Sequence, residues 1–456
     1  MKADRTKLPA PGPASAVHLP SIRKETLGNG LAVWTVAHNS VPVVSFMLVV
    51  PAGSAQDPAG LAGLASLTGD MLDEGSGARS AIDMHDALAR IGAQFDTEVG
   101  VDASSLSLTT LTTWQAKGLT LLADMSTRPA LVEAEVDRVR QLRVNRLGQL
   151  RDLPQFVAQQ AFTRFIFGDH PYGHLPVGNQ QTLGAATGEA VRAFHRRVFV
   201  PQGTTLVAVG QAPHEELLAA VTEAFGGWEA APEALGHVPA VIAEPPDQPP
   251  FGRLALVHRA AAAQSELRIG QVAAARNTPD YHALLVLNTV LGGQFISRIN
   301  MNLRQKKGYT YGARTAFEFH RLRGPFAFQS SVHSQVTADA LREAMSEIEA
   351  IRGTRPATAA EIETAKAALT QGYARNFETA QQVARAVAQL ALFGLPDDYF
   401  EQFVPRVNAV TADDVLRVAR EYLNPDRMGI VIVGDRDVVE PGLAALPYGD
   451  PVPIPA

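Results

Sequence analysis

The 456-residue chain contains no cysteine. Disulfide bonds, thiol catalysis and cysteine-ligated metal sites are therefore excluded, although a chain without cysteine suits either the cytoplasm or the periplasm. Long apolar runs are missing too, because none reaches the roughly 18 residues that a membrane-spanning helix needs. These absences predict a soluble protein that does not cross a membrane.

Clustered positive charge is also absent. The 40 Lys and Arg residues are outnumbered by 46 Asp and Glu residues, which leaves a net charge of −6, and no long Lys/Arg run occurs. Neither nucleic acid nor an anionic membrane surface is then an expected partner. Residues 1–20 lack the apolar segment of a secretory signal. The protein is thus expected in the cytoplasm as the sequence stands, or in the periplasm if a signal peptide has been removed.

An internal repeat divides the chain into two halves. Phe199-Val200-Pro201 is followed by the apolar segment 206–210, and Leu423-Asn424-Pro425 by 430–434, with identical spacing from the Pro to a closing Gly. Each copy predicts a helix stopped by proline, then a turn and a buried strand. Hydrophobic residues make up 46% of the chain, enough for two large cores.

Both halves show the same order of predicted elements. A strand (43–50; 265–272) leads through a Pro-containing turn into an apolar helix, and a β-rich stretch (94–111; 309–332) then precedes long helices (about 114–165; 336–393). Long helices after paired strands, without regular βαβ alternation, predict an α+β fold. We expect two homologous domains, each a largely antiparallel sheet with helices packed on one face.

The domain boundaries are predicted from the prolines. A segment that contains Pro239, Pro245-Pro246 and Pro249-Pro250 is too rich in proline for a helix or a central strand. The predicted organisation is an N-terminal extension (1–20), a first domain (21–231), a stiff linker (232–252), a second domain (253–440) and a Pro-rich tail (441–456).

Short motifs follow one another along the chain in a specific order. They include Leu27-Gly28-Asn29-Gly30-Leu31, Gly60-Leu61-Ala62-Gly63-Leu64-Ala65, His170-Pro171-Tyr172-Gly173 and Leu291-Gly292-Gly293. Over residues 25–434 the chain resembles the pitrilysin/insulinase family of metallopeptidases, in its two-domain, mitochondrial-processing-peptidase-like branch. The resemblance implies a peptidase-like fold in both halves.

The zinc motif of that family is missing. In active members His-x-x-Glu-His supplies two zinc ligands and the general base, and those positions are Ser66, Gly69 and Asp70 here. By resemblance, the remaining Glu ligand falls near Arg146. We therefore expect this chain to bind no metal. His170 and His174 are four residues apart, but the Pro and Gly between them break the helical geometry, so we interpret them as loop residues.

The second half retains a different part of the family's site. The segment from Asn302 to Gly312 is similar to Leu-Arg-x-Lys-x-Gly-x-x-Tyr, in which an Arg and a Tyr face the zinc centre. By resemblance these are Arg304 and Tyr311. A guanidinium can hold a substrate carbonyl, and a phenol can donate a hydrogen bond to an oxyanion. Tyr309 and Arg298 are secondary candidates for substrate contact.

These features predict a zinc-less subunit of a heterodimeric peptidase. The expected partner is a homologous subunit that holds zinc, and the substrate an unfolded peptide added as a strand to a sheet edge, on the partner's first domain. Self-association is also possible. One alternative is a non-proteolytic scaffold subunit from the same family. Another is an autonomous zinc peptidase with substituted ligands, which metal analysis would distinguish.

Overall fold

The computed structural model describes Gly12 and residues 16–230 and 242–454. Its described strands form two sheets, one in each half of the chain. The first sheet contains β1 (Ile22–Thr26), β2 (Ala32–Ala37), β3 (Val43–Val50), β4 (Gln94–Val99), β5 (Ser104–Leu111) and β6 (Thr205–Gly210). The second contains β7 (Leu254–His258), β8 (Gln264–Val272), β9 (Thr310–Phe317), β10 (Pro325–His333) and β11 (Gly429–Gly434).

Sixteen α-helices are described. The first half has α1 (Leu64–Asp70), α2 (Ala81–Arg90), α3 (Gln115–Thr127), α4 (Glu133–Arg151), α5 (Pro154–Phe167), α6 (Gln180–Ala185), α7 (Gly188–Val198) and α8 (His214–Phe225). The second half has α9 (Tyr281–Leu291), α10 (Arg298–Asn300), α11 (Thr337–Ile351), α12 (Ala359–Thr370), α13 (Ala380–Phe393), α14 (Phe403–Ala409), α15 (Ala412–Tyr422) and α16 (Arg436–Leu443). None of the described helices is both long and apolar enough to span a bilayer.

The two sheets have matching topologies. The first runs β1-β2-β6-β3-β5-β4 and the second β7-β11-β8-β10-β9. Neighbouring strands are antiparallel except β2 with β6 and β7 with β11. Strands β6 and β11, whose similar sequences predicted the repeat, occupy equivalent places beside a parallel neighbour. The prediction of two similar, largely antiparallel α+β domains is confirmed.

Each sheet is buried on both faces. In β3, Phe46 and Leu48 face the helices of the first half, whereas Met47 and Val49 face the opposite side. A strand covered on both faces reads as a continuous apolar run rather than an alternation. This accounts for the sequence VVSFMLVV.

The second face of each sheet is covered by a helix from the other half of the chain. Helix α13 packs on β3 and β6 of the first sheet through Val383, Ala384 and Val387. Helix α5 packs on β8 and β11 of the second sheet through Phe162 and Phe165. The helices that were predicted on one face of each sheet thus come from the same half of the chain as the sheet. The opposite face is covered by one helix from the other half.

Glycine allows α5 to lie close to the second sheet. A Cβ atom at Gly270 of β8 would stand 2.9 Å from the Phe162 ring, and one at Gly429 of β11 would stand 2.9 Å from the Phe165 ring. Contacts this short do not occur between a real Cβ and a ring, so side chains here would push the helix away. Glycine at these two positions therefore lets the exchanged helix lie this close to the sheet.

The predicted linker and termini are only partly described. Residues 232–241 of the linker, and 1–11 and 13–15 of the extension, lie outside the described residues. The rest of the linker is held by Arg323, which pairs with Glu244 at 3.2 Å and Asp247 at 2.7 Å. Helix α16 crosses the predicted start of the tail at Pro441, and Val452 forms a bridge to Ala255 in β7. The proposed domain limits stay predictions.

Replacing Phe165 with alanine is expected to lower the free energy of unfolding by about 3–5 kcal/mol, because it leaves a cavity under the exchanged helix. Trp34, Trp114 and Trp228 all lie in the first half, so tryptophan fluorescence reports unfolding there. In urea, fluorescence and far-UV circular dichroism should shift together. Phe295→Ala, at a ring that is 56% exposed, is the matched control and should change stability little. If Phe165→Ala shifted the dichroism transition to lower urea concentration but left the fluorescence transition unchanged, the two halves would not unfold as one unit.

Candidate functional site

Helix α1, where the zinc motif would lie, is buried and firmly capped. Gly63 precedes it with φ 96°, a left-handed conformation that favours glycine. The Asp57 carboxylate accepts hydrogen bonds from the backbone N–H groups of Gly63 and Ala65, each at 2.7 Å. A carboxylate at a helix N-terminus accepts hydrogen bonds from the free backbone N–H groups and is attracted to the positive end of the helix dipole. The helix therefore keeps its position without a metal.

An ion pair occupies the place of the zinc ligands. Ser66 and Gly69 are buried, and Asp70 at the end of α1 pairs with Arg143 of α4. The Arg143 guanidinium also donates a 3.0 Å hydrogen bond to the Ser66 carbonyl oxygen. A cation thus lies beside the former ligand positions, and its charge opposes the binding of Zn²⁺ there.

Arg146, the residue predicted at the remaining ligand position, lines the same cleft but does not pair with Asp70. Its guanidinium donates only a 3.4 Å hydrogen bond to Gln149. Arg143 lies one turn earlier on α4, so both arginines share one face of the helix. Sequence reasoning missed Arg143, although this spacing from Arg146 was a signal that could have identified it.

The remaining charged groups that line this cleft are acidic. They include Asp73, Glu74 and Asp96, in a space of about 470 Å³ beside the edge strand β4. Burial raises the pKa of Asp73, and the nearby His85 opposes that rise. Within the described ranges, no three His, Asp or Glu side chains form a group that could hold a metal ion.

The two loop histidines have structural contacts. The ring of His174 lies 3.0 Å from the Asp57 carboxylate and 3.1 Å from the Ser54 carbonyl oxygen. His170 lies 2.8 Å from the Ala243 carbonyl oxygen. Both side chains thus hold loops in place, as interpreted from their sequence.

A second cleft, in the second half of the chain, contains Arg304 and Tyr311. It has a volume of about 660 Å³ and its floor is the polar end of the second sheet, with Glu266 and Arg268 of β8. We call it the second-domain cleft. The structure brings both predicted residues to this one cleft, which is separate from the α1 cleft.

An irregular helical turn positions Arg304. Helix α10 continues into a π-helical turn at Met301–Lys306, and Gly308 then turns the chain with φ 66° into β9. Single π turns widen a helix and are frequent at functional sites. The buried Asn302 anchors the turn, because its amide donates to Glu347 at 2.8 Å and Glu343 at 3.0 Å.

The polar groups of Arg304 and Tyr311 are available to a ligand. The Arg304 guanidinium lies 4.4 Å from the centroid of the Phe295 ring, and Tyr311, on the edge strand β9, is 86% exposed. Within the part of the chain that the structure describes, neither side chain has a hydrogen bond or an ion pair. The N–H donors of Arg304 and the hydroxyl of Tyr311 are therefore free to bond a ligand.

The structure places the two secondary candidates outside the second-domain cleft and gives each of them other contacts. The Arg298 side chain is 8% exposed and joins α10 to α12 through two 2.7 Å bonds to the Glu361 carboxylate. Arg298 lowers the pKa of Glu361 to about 2. Tyr309 packs against the core of the second half and does not line the second-domain cleft. Neither side chain lines the cleft, so we propose no substrate contact for either.

Two protein-family models match the chain. "Insulinase (Peptidase family M16)" matches residues 33–174, and "Peptidase M16 inactive domain" matches residues 185–369. Together the two models cover well over half of the sequence. The chain belongs to the insulinase family. The family resemblance drawn from the motifs is confirmed, and this member lacks the zinc motif.

Curated relatives of this insulinase-family chain are similar over nearly their whole length. An uncharacterized zinc protease of Mycobacterium tuberculosis is 25% identical over 435 residues, covering 94% of this chain and 96% of the relative. An uncharacterized zinc protease of Streptomyces coelicolor is 24% identical over 414 residues, covering 91% and 90%. The chain is thus related to proteins named as zinc proteases although its own motif is lost.

Solved structures support the two-domain fold. A peptidase M16 inactive domain from Pseudomonas fluorescens superposes with a TM-score of 0.83 at 24% identity, covering 91% of this chain and 98% of that one. A protease from Helicobacter pylori superposes with a TM-score of 0.85 at 21% identity, covering 91% and 100%. At these identities the likeness concerns the fold alone.

Restoring the motif alone should not restore zinc binding. The variant Ser66→His, Gly69→Glu, Asp70→His lacks a carboxylate at Arg146 and keeps the Arg143 cation. A Cβ at Gly69 would also meet Thr97 and Val99 methyl groups at 3.0 Å. Metal analysis after dialysis should therefore find zinc far below one ion per chain, as in the wild-type protein. Circular dichroism checks folding, and stoichiometric zinc in either folded protein would contradict the assignment.

Proposed function

We propose that this chain is the zinc-less subunit of a heterodimeric insulinase-family peptidase. The single observation that carries the proposal is the exposure of Tyr311, a large aromatic side chain whose hydroxyl faces solvent beside Arg304. A chain that served only as a scaffold would have no need of two such groups in one open cleft. The proposal assigns both to peptide hydrolysis at a partner's zinc site.

The exposed apolar surface beside the second-domain cleft supports a protein partner. Phe295 and Ile296 are 56% and 57% exposed, and Met301 is 37% exposed. Contiguous exposed apolar residues rimmed by polar groups are typical of interaction sites. We propose that this rim meets the homologous zinc-bearing subunit, so that the cleft opens onto the partner's metal.

The loss of zinc from α1 agrees with such a division of labour. The Asp70–Arg143 ion pair holds α1 against α4 and engages the one carboxylate left at the motif positions. Zinc in the partner would activate the attacking water. This chain would contribute only the second-domain cleft and the surface around it.

In this mechanism Arg304 and Tyr311 act on the peptide. The Arg304 fork donates to a backbone carbonyl and orients the chain, since guanidinium N–H groups have fixed directions. The Tyr311 hydroxyl donates to the oxyanion that forms at the attacked carbonyl. The π-helical turn fixes the backbone of Arg304 and the edge strand β9 fixes that of Tyr311, so both donors start from defined backbone positions.

Tyr311→Phe should lower turnover by the reconstituted pair by about 10²–10³-fold, because it removes one oxyanion donor. The measurement uses a zinc-bearing homologue from the same organism, mixed with each variant and a quenched-fluorescence peptide. Tyr309→Phe is the matched control and should retain turnover, since its ring packs against the core.

Size-exclusion chromatography should give the same complex for all three proteins. Unchanged turnover in the Tyr311→Phe complex would refute the role of the phenol. If no zinc-bearing homologue cleaves peptide with the wild-type chain, the non-proteolytic scaffold is the better account.

A further inference from the structure

A row of polar side chains crosses the floor of the second-domain cleft. In the strand register, Gln329 of β10 lies opposite Arg314 of β9 on one side and Arg268 of β8 on the other. All three residues line the cleft, while their neighbours Leu267 and Phe328 face the core. Two guanidinium groups therefore flank one amide on the same sheet face.

The spacing of the row lets both arginines reach one ligand. Adjacent strands lie about 4.8 Å apart, so the backbones of Arg268 and Arg314 are separated by roughly 10 Å. Two arginine side chains span that separation easily. Each guanidinium offers several N–H donors, and the Gln329 amide adds two more.

Arg268 is a buried residue that forms part of the floor of this cleft. It is 4% exposed, and its Nη1 lies 3.2 Å from the Glu266 carboxylate while its Nη2 donates to the Gln155 carbonyl at 3.3 Å. Among the described residues, its Nε has no hydrogen-bond partner. A buried donor without a partner is unfavourable, and an acceptor in the cleft would satisfy it.

Arg314 is exposed and has no partner of its own. Within the described ranges its guanidinium has no hydrogen bond or ion pair. Burial lowers the pKa of Arg268, Glu266 opposes that change and Arg314 adds to it. The two cations therefore repel each other, and an anion between them would relieve the repulsion.

The charge of the cleft points to a monoanion. Three arginines, Arg268, Arg304 and Arg314, line it against one glutamate, Glu266, which leaves a net charge of +2 in a chain whose total is −6. Arg268, Arg314 and Glu266 alone sum to +1. That balance matches a carboxylate better than a dianionic phosphate, and guanidinium forks suit carboxylate geometry.

We infer that Arg268, Gln329 and Arg314 form a carboxylate subsite for the peptide held in the second-domain cleft. This inference rests on the proposed function and narrows its substrate class to peptides with an acidic group beside the residues that Arg304 and Tyr311 contact. The carboxylate belongs either to an Asp or Glu side chain or to the C-terminus of the peptide.

Binding to the full chain alone tests the subsite without the partner. Three Ala/Ser peptides, labelled at the N-terminus with an uncharged fluorophore, serve as probes: one with a central Glu and an amidated C-terminus, one with a central Gln and an amidated C-terminus, and one with a central Gln and a free C-terminus. Fluorescence anisotropy should give at least about tenfold tighter binding for one carboxylate peptide than for the uncharged peptide. The preferred peptide identifies the source of the carboxylate.

Arg314→Gln should abolish this preference, and Arg314→Glu should reverse it in favour of a peptide with a central Lys. Both substitutions lie on an exposed edge-strand position, so folding should be preserved. Arg90→Gln, at an exposed arginine in the last turn of α2, is the matched control and should retain the preference.

Equal binding of the three peptides by the wild-type chain, or no measurable binding of either carboxylate peptide, would overturn the subsite. A preference that persists in Arg314→Gln would overturn it as well. These results leave the proposed function standing if Tyr311→Phe still impairs the mixed pair. If instead the preference for a carboxylate peptide depends on Arg314 but Tyr311→Phe leaves the turnover of the mixed pair unchanged, only the catalytic proposal is refuted.

Discussion

The reciprocal packing of α5 and α13 is the constraint on which the rest of the structure depends. Each helix covers the outer face of the sheet in the other half, and Phe165 and Val387 are completely buried there. Without the exchange, each sheet would expose the apolar side chains that α13 or α5 covers. Each half therefore depends on the other to bury its sheet. The N-terminal turn of α5 also borders the second-domain cleft, where the Gln155 carbonyl oxygen accepts a hydrogen bond from Arg268.

The two similar domains carry different polar groups in their clefts. In the first, Asp70 and Arg143 form an ion pair at the metal-ligand positions, which stabilises the contact between α1 and α4 and places a positive charge there. In the second, Arg304 and Tyr311 make no hydrogen bond or ion pair within the described ranges. A first cleft whose ligand positions hold an ion pair, and a second cleft with two available polar side chains, agree with a division of catalytic labour between two subunits.

Much of the fold could be predicted from the sequence because its strands are strongly apolar. The predicted 43–50 strand coincides with β3, and 206–210 and 430–434 differ from β6 and β11 by one residue at the start. The helix exchange could not be predicted, since the apolar faces of α5 and α13 do not specify which sheet they cover. Arg143 and Arg314 were missed for a similar reason. A family motif identifies positions in the sequence only. The pairing of Arg143 with Asp70 depends on how α1 and α4 pack, and the place of Arg314 beside Gln329 depends on the strand register.

The central claim is that this chain completes an active site whose metal belongs to another subunit. The most direct test is a titration in which a zinc-bearing homologue from the same organism, at constant concentration, receives increasing amounts of this chain while peptide cleavage is recorded. The account predicts little cleavage by either protein alone and a rate that rises and saturates at a one-to-one ratio. Full activity of the homologue alone, unchanged as this chain is added, would contradict it.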